Sequence, residues 1–322
     1  MNYARPWMDF SDQLELLKSR GMEAGDETAA LSYLNRIGYY RLSAYWYPFR
    51  VWEMQQDPES GRITHRRTDK FMAGARFVDA VKLYLFDKKL RLIVLDALER
   101  VEVALRVDIA FMLGERDTFA HLNADELHPS FAGKLLRDDR TTHQAWCERH
   151  EQLVARSKED FVKHYHEKHG PVLPIWVAIE VWEFGAMSQL FAMMKVADQQ
   201  RIASKYGVPD WRVFQSWLRS LSYLRNLVAH HSRLWNRNVV EQPKLPAQGA
   251  IAWCDEFAGK NDLLAKPFLL LSICRHMVRQ ICPGTEWHLR LSNHLQSFPA
   301  QQVEPPRSIA DMGTPSAWEG WW

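Results

Sequence analysis

One stretch of this 322-residue chain sets histidine and arginine close together, Leu221 to Asn238, LSYLRNLVAHHSRLWNRN. Histidine is the natural proton-transfer group near neutral pH. Arginine holds phosphate with a planar fork of donors and stabilises charge developing on its oxygens. An amide such as Asn226 can orient His230 or hydrogen-bond a phosphate oxygen. RNA brings its own nucleophile, the 2′-hydroxyl, so attack on the adjacent phosphate needs neither a metal nor a hydrolytic water. A single histidine is thin for both acid and base duties, and two copies meeting in a dimer would supply both.

Periodicity sorts the stretch if it forms one helix. Asn226, His230, Arg233 and Arg237 then fall within a sector of about 60° on one face. Leu224, Leu227, Val228, His231 and Trp235 lie on a second, mostly apolar face. His230 is therefore the better proton-transfer candidate, and His231 is expected as a buried, hydrogen-bonded side chain. Arg225 is offset from His230 by about 140°, so it must reach round, act from another chain or sit on a bent turn.

Residues 201–240 carry seven cations (Arg201, Lys205, Arg212, Arg219, Arg225, Arg233, Arg237) against Asp210 alone, hence net +6. Such an excess suits a polyanion whose phosphates position it. It is equally open to neutralisation by acidic faces, such as the one carrying Glu99 and Glu102. A second basic run, RITHRRTDK with Arg66 and Arg67, follows DPESGR in what looks like an exposed hairpin or loop.

The elements that must hold these groups look helical. Residues 76–113 carry the strongest period, through Val81, Leu85, Leu92, Leu95 and Val103, and end near Gly114. Glu99, Glu102 and Arg106 share one face of that helix, as a solvated ion-paired surface or a buried network. Earlier helices are expected over residues 9–20, with Ser11 as cap, and 27–37. Later ones are expected over 146–167, 175–194, 211 to about 238, 250–257 and 263–281. Glu180 and Glu183 pair at i and i+3 on the second of these. No Asp or His with ligand spacing accompanies them, so no metal is expected there. After Pro283 the chain reads as Pro-rich and irregular.

Composition narrows the class. The net charge is +2 and apolar residues make up 47%, which excludes a grossly basic nucleic-acid binder and fits a globular protein. The 14 tryptophans point to packing between helices or an aromatic surface, not by themselves to base stacking. Cys147, Cys254, Cys274 and Cys282 form no C-x-x-C pair, so reduced structural cysteines without zinc are expected. MNYARPWMDFSDQLELL lacks an apolar signal region, and the apolar run PFLLLSIC is too short to span a bilayer. A cytoplasmic protein with no membrane partner and no cofactor is the simplest expectation.

Six strings occur in order: RPWMDFSDQLELLKSRGM, ALSYLNRIGYYRLSAYWYPF, FDKKLRLIVLDALERVEVALR, LPIWVAIEVWEFGAMSQLF, LRNLVAHHSRLWNR and GTPSAW. Together they resemble the Abi-like family, bacterial abortive-infection proteins of the AbiD/AbiF type grouped with the HEPN superfamily. HEPN ribonucleases carry R-x(4–6)-H with a polar residue after the arginine. Arg225-Asn226 with His230 matches this pattern, and Arg225 with His231 satisfies it as well.

The resemblance implies an all-α, HEPN-like helical bundle (residues 76–282) with an N-terminal helical and aromatic-basic region (1–75). A C-terminal extension (283–322) is the irregular tail. It implies a homodimeric, metal-independent endoribonuclease leaving a 2′,3′-cyclic phosphate, with Arg225, Asn226 and His230 catalytic. His231 and Glu102 would support them, and Arg219, Arg233, Arg237, Arg66 and Arg67 would bind RNA. A small structured non-coding RNA is a further expected partner of the N-terminal region. Only one copy of the motif is convincing in this chain, so a lone monomer would lack a two-motif site. Two other readings stand beside this one: a non-catalytic RNA-binding module, and a structural interaction protein whose tryptophans form an interface.

Overall fold

A computed structural model describes residues 6–56 and 63–322; the chain is mainly helical, with a single two-stranded sheet among the described residues. The residues group into two compact units, Met1–Arg91 with Leu291–Asp311 and Leu92–Arg290 with Met312–Trp322. The grouping cuts at other places than the region boundaries expected at residues 75 and 282. A breaker marks the end of an element, whereas a long helix can pass from one unit to the next.

The first unit holds α1 (Phe10–Ser19), α2 (Glu27–Ile37), α3 (Tyr39–Trp46), β1 (Arg50–Gln56), β2 (Ile63–Phe71) and the start of α4 (Phe77–Gly114). Helix α1 is capped by Asp9, whose carboxylate accepts the Asp12 amide at 2.8 Å, not by Ser11. Asp26 caps α2 in the same way at 3.0 Å. Leu14, Leu17, Leu34, Leu42 and Trp46 are buried beneath these helices. Asp87, fully buried on α4, accepts the Tyr45 hydroxyl at 2.7 Å and pairs with Arg91, so the buried charge is both paired and hydrogen-bonded. The strands are antiparallel, with Glu53 opposite Arg66 and an irregularity between Arg50 and Trp52. The basic run thus forms β2, and the DPESGR segment, expected in a hairpin or loop, lies outside the described residues.

The second unit holds the rest of α4, then α5 (Pro129–Ala132), α6 (Thr142–Arg156), α7 (Asp160–His169), α8 (Ile175–Ala178), α9 (Phe184–Met193) and α10 (Val196–Lys205). Next come α11 (Trp211–Ala229), α12 (Asn261–Leu264), α13 (Pro267–Ile281) and the start of α14 (Trp287–Gln296). Helix α11 packs on α9, α10 and α13, and α6 packs on α9. Trp217, Leu221 and Leu224 of α11, with Phe191 of α9 and Leu270 and Cys274 of α13, are fully buried in that core. No helix among the described residues is long and apolar enough to cross a membrane.

Several sequence expectations need correction here. The single helix over 146–167 is two, α6 and α7, parted at Ser157–Glu159. The helix over 175–194 breaks at Trp182, which is extended (ψ 141°) so that its buried indole can donate to His150 Nδ1 at 2.9 Å. Glu180 and Glu183 therefore do not share a helical face. Residues 252–257 form a 3-10 helix. The stretch after Pro283 contains α14, whose Trp287, Leu291 and Leu295 are buried at i, i+4 and i+8. The closing residues are packed too. Trp318 is buried, and Trp318, Trp321 and Trp322 place their rings 5.1 to 6.1 Å from that of Phe268 on α13.

Candidate functional site

Helix α11 starts at Asp210, whose carboxylate accepts the Arg212 amide at 2.8 Å. It stops at Ala229 rather than running to Asn238. The stop has full hydrogen-bonded geometry: the Ser232 amide donates to Leu227 O at 2.9 Å and the His231 amide to Val228 O at 3.1 Å. That pair of bonds is a Schellman motif, with His231 at the left-handed position (φ 56°) where glycine is usual. Histidine tolerates this conformation better than a β-branched residue does, yet carries a Cβ penalty that glycine lacks.

The consequence for the candidate residues is direct. The common face of Asn226, His230, Arg233 and Arg237 does not exist, because only Asn226 lies on the helix and His230 is its cap. His231, expected buried, is exposed on the turn beside the exposed His230. Both histidines are exposed at a helix end. Past them the chain turns inward on buried Leu234 and Trp235. Arg237 folds back so that its Nε donates to Tyr223 Oη on α11 at 3.2 Å. Asn226 is exposed, and its link to His230 is through the backbone, the His230 amide donating to Asn226 O at 3.0 Å.

Arg225 is held from α4. Glu102, buried, places Oε2 3.4 Å from Arg225 Nε and accepts a bond from Arg106 at Oε1 of 2.9 Å. Arg106 also donates to Trp182 O at 3.0 Å. One carboxylate thus organises two guanidiniums, one tied to the core and one, Arg225, about one-third exposed. Removing the carboxylate would leave Arg106 and Arg225 repelling each other in a poorly solvated place. Arg225 keeps donors beyond Nε for a ligand, since its guanidinium carries five N–H groups.

The remaining candidates are scattered. Arg219 is exposed on α11 with its Nε 2.8 Å from Glu241. In the first unit, Arg66 is exposed on β2. Arg67 instead lies 4.1 Å over the Trp52 ring and donates to Pro48 O and Arg50 O, so it braces the hairpin. Burial lowers its pKa, with Arg307 adding to the effect. Glu99 is exposed, and Glu183 is held by Arg149 and Arg156, whose hydrogen bonds lower its pKa. Among the described residues no group of three or more His, Cys, Asp or Glu side chains is placed to hold a metal ion. All four cysteines are free thiols.

A family model described as Abi-like protein matches residues 32–236, more than half of the chain. The chain belongs to the Abi-like family. No curated protein and no solved structure matches it. The Abi-like match contains Glu102, Arg106, Arg225, Asn226, His230 and Arg233, while Arg237 falls just beyond it. Membership places the chain among the abortive-infection proteins.

Sequence reasoning placed Glu102 near the motif only as a supporting candidate and left Arg106 undecided. It missed Tyr223 as the partner of Arg237, and it missed a groove beside α11 lined by Arg212, Gln215, Arg219 and Lys244. The signal for the groove was present only in part: Gln215, Arg219 and Ser222 follow the helical period, but α9 and Lys244 come from far along the chain.

Proposed function

We propose that this Abi-like protein is a metal-independent HEPN-type endoribonuclease whose site is built on Arg225, Asn226 and His230. The observation that carries the reading is the buried Glu102 carboxylate holding Arg225 in the last part of α11, the helix that also carries the exposed Asn226 and ends at the exposed His230 cap. In the reaction the 2′-oxygen attacks the adjacent phosphorus, the P–O5′ bond breaks, and a 2′,3′-cyclic phosphate and a 5′-hydroxyl result. The 2′-hydroxyl proton passes to a neutral imidazole, and the departing 5′-oxygen takes a proton from an imidazolium. Arg225 and Asn226 bind the phosphate oxygens as charge builds on them.

One His230 serves one of these duties at a time, so the reading calls for two chains. Val103, Val107 and Phe111, exposed at successive four-residue steps of α4, flank Glu102 and Arg106 and supply an apolar surface for such pairing. The exposed Trp176 lines the same surface groove as Arg106, Val107 and Phe111.

The test is cleavage of mixed structured and single-stranded RNAs in EDTA by wild type and His230→Ala. Cyclic-phosphate ends made by wild type alone are expected. RNA that binds but stays intact with wild-type dimer would instead favour the binding-only reading, in which Arg225 and His230 merely grip phosphate.

A further inference from the structure

Along one side of α11, Arg212, Gln215, Arg219 and Ser222 follow each other at steps of three and four residues, and Asn226 is the next in the series. Such spacing keeps them on one stripe of a helix. The stripe spans about 21 Å from Arg212 to Asn226 at about 1.5 Å per residue. Opposite its first part lies α9, with Gly185, Ser188 and Gln189, and the two helices enclose a groove of about 400 Å³. Lys244 completes the rim. Its backbone is pinned to α11 on both sides: its amide donates to Ser216 Oγ at 2.9 Å, and its carbonyl accepts the Trp217 indole at 2.9 Å.

The groove's polar groups are only partly used by the protein itself. The Gln215, Ser188 and Ser222 side chains make no hydrogen bond among the described residues, although Ser188 is only 7% exposed. Lys244 has no carboxylate within ion-pair distance among the described residues, whereas Arg219 has Glu241 at 2.8 Å and Arg212 has Asp210 at 3.8 Å. Arg212 lies 4.8 Å over the Trp211 ring. Unspent hydroxyl and amide groups beside cations fit a sugar-phosphate chain, whose phosphates take the cations and whose 2′-hydroxyls both donate and accept. A groove of about 400 Å³ is of the size that takes a few sugar and phosphate units of one strand.

We propose that the α9–α11 groove is a subsite for single-stranded RNA, holding the nucleotides that flank the phosphate cut at Arg225–Asn226–His230. The assignment rests on the ribonuclease reading for its direction, since Asn226 ends the stripe, but its binding claim is tested separately. Single-strand preference then comes from this cleft, while the motif at the helix end does the chemistry. Lys244 and Gln215 are binding residues here and take no part in proton transfer.

The experiment measures binding of a labelled oligouridylate, and of the same length of RNA duplex, to His230→Ala protein with and without Lys244→Ala and Gln215→Ala. Lys244→Ala with Gln215→Ala should weaken single-strand binding about tenfold or more, the range for losing a charge-assisted bond. The log–log salt slope should fall by about 0.7, one single-strand phosphate contact, and Lys244→Arg should keep both affinity and slope. In a His230-containing background the double variant should raise KM for a long single strand by more than it raises KM for a uridine dinucleotide. Unaltered affinity and slope in the double variant would overturn the subsite, as would equal affinity for the duplex. If wild type cleaves no RNA while the double variant still loses single-strand binding, the ribonuclease reading fails and the groove stands.

Discussion

Two groups of histidines in the second unit make opposite use of the same side chain. His121, His143 and His150 are buried among Trp146 and Trp182, the His150 ring stacking 5.6 Å from Trp146 and accepting the Trp182 indole. Burial pushes His121 down to about 3 and His150 down to about 4, so both stay neutral and act as packing. His230 and His231 are exposed at the C-terminal end of α11. A strongly shifted pKa is often a pointer to function. In this molecule it marks the core, and the candidate site is marked instead by exposure, by a helix end and by a carboxylate-held arginine.

Four measurements would break or sharpen that contrast. The largest effect is expected at the exposed group: His230→Ala should lower RNA cleavage about 10²–10⁴-fold, with the melting temperature unchanged. At the buried group, Trp182→Ala should cost about 3–5 kcal/mol in denaturant unfolding, through the cavity and the lost partner of His150. A comparable loss of stability with His230→Ala would erase the distinction between the two sets.

Acid should act on the buried set next. His121 and His150 have folded pKa values depressed below the unfolded value of about 6.5. The unfolded chain therefore binds more protons, and stability is complete above about pH 6.5 and falls as pH drops toward 4 and then 3. The loss is on the order of 3 kcal/mol per histidine, read by urea unfolding across that window. His150→Phe should flatten its share of the slope. Last and smallest, His231→Gly should stabilise the fold by about 0.5–1 kcal/mol, because the left-handed cap suits glycine. If the same variant abolishes cleavage at unchanged RNA affinity, His231 rather than His230 carries the chemistry.

Helix α4 was legible because it is a long periodic run that ends at a recognisable breaker, Gly114. The end of α11 was not, since the C-terminal signal is a glycine and this chain closes the motif with His231. That one residue invalidates the wheel on which Arg233 and Arg237 shared a face with His230. The arginine, asparagine and histidine of the candidate site could be picked out from spacing, but not what holds them. Glu102 meets Arg225 across more than a hundred residues of chain, and such meetings are set by packing. Helix α14 is a different case: Trp287, Leu291 and Leu295 carry a readable period, which the nearby prolines obscured.

The tryptophans at 318, 321 and 322 have a consequence for how the molecule comes into being. They cover α13, and α13 is the support behind α11. During synthesis this lid emerges after every helix of the second unit, so the side of Phe268 that these three rings cover is the last to be filled. The helix that presents Arg225 and His230 is thus backed by its full core only once that late segment has left the ribosome. The order of synthesis therefore sets when the core behind α11 can be completed.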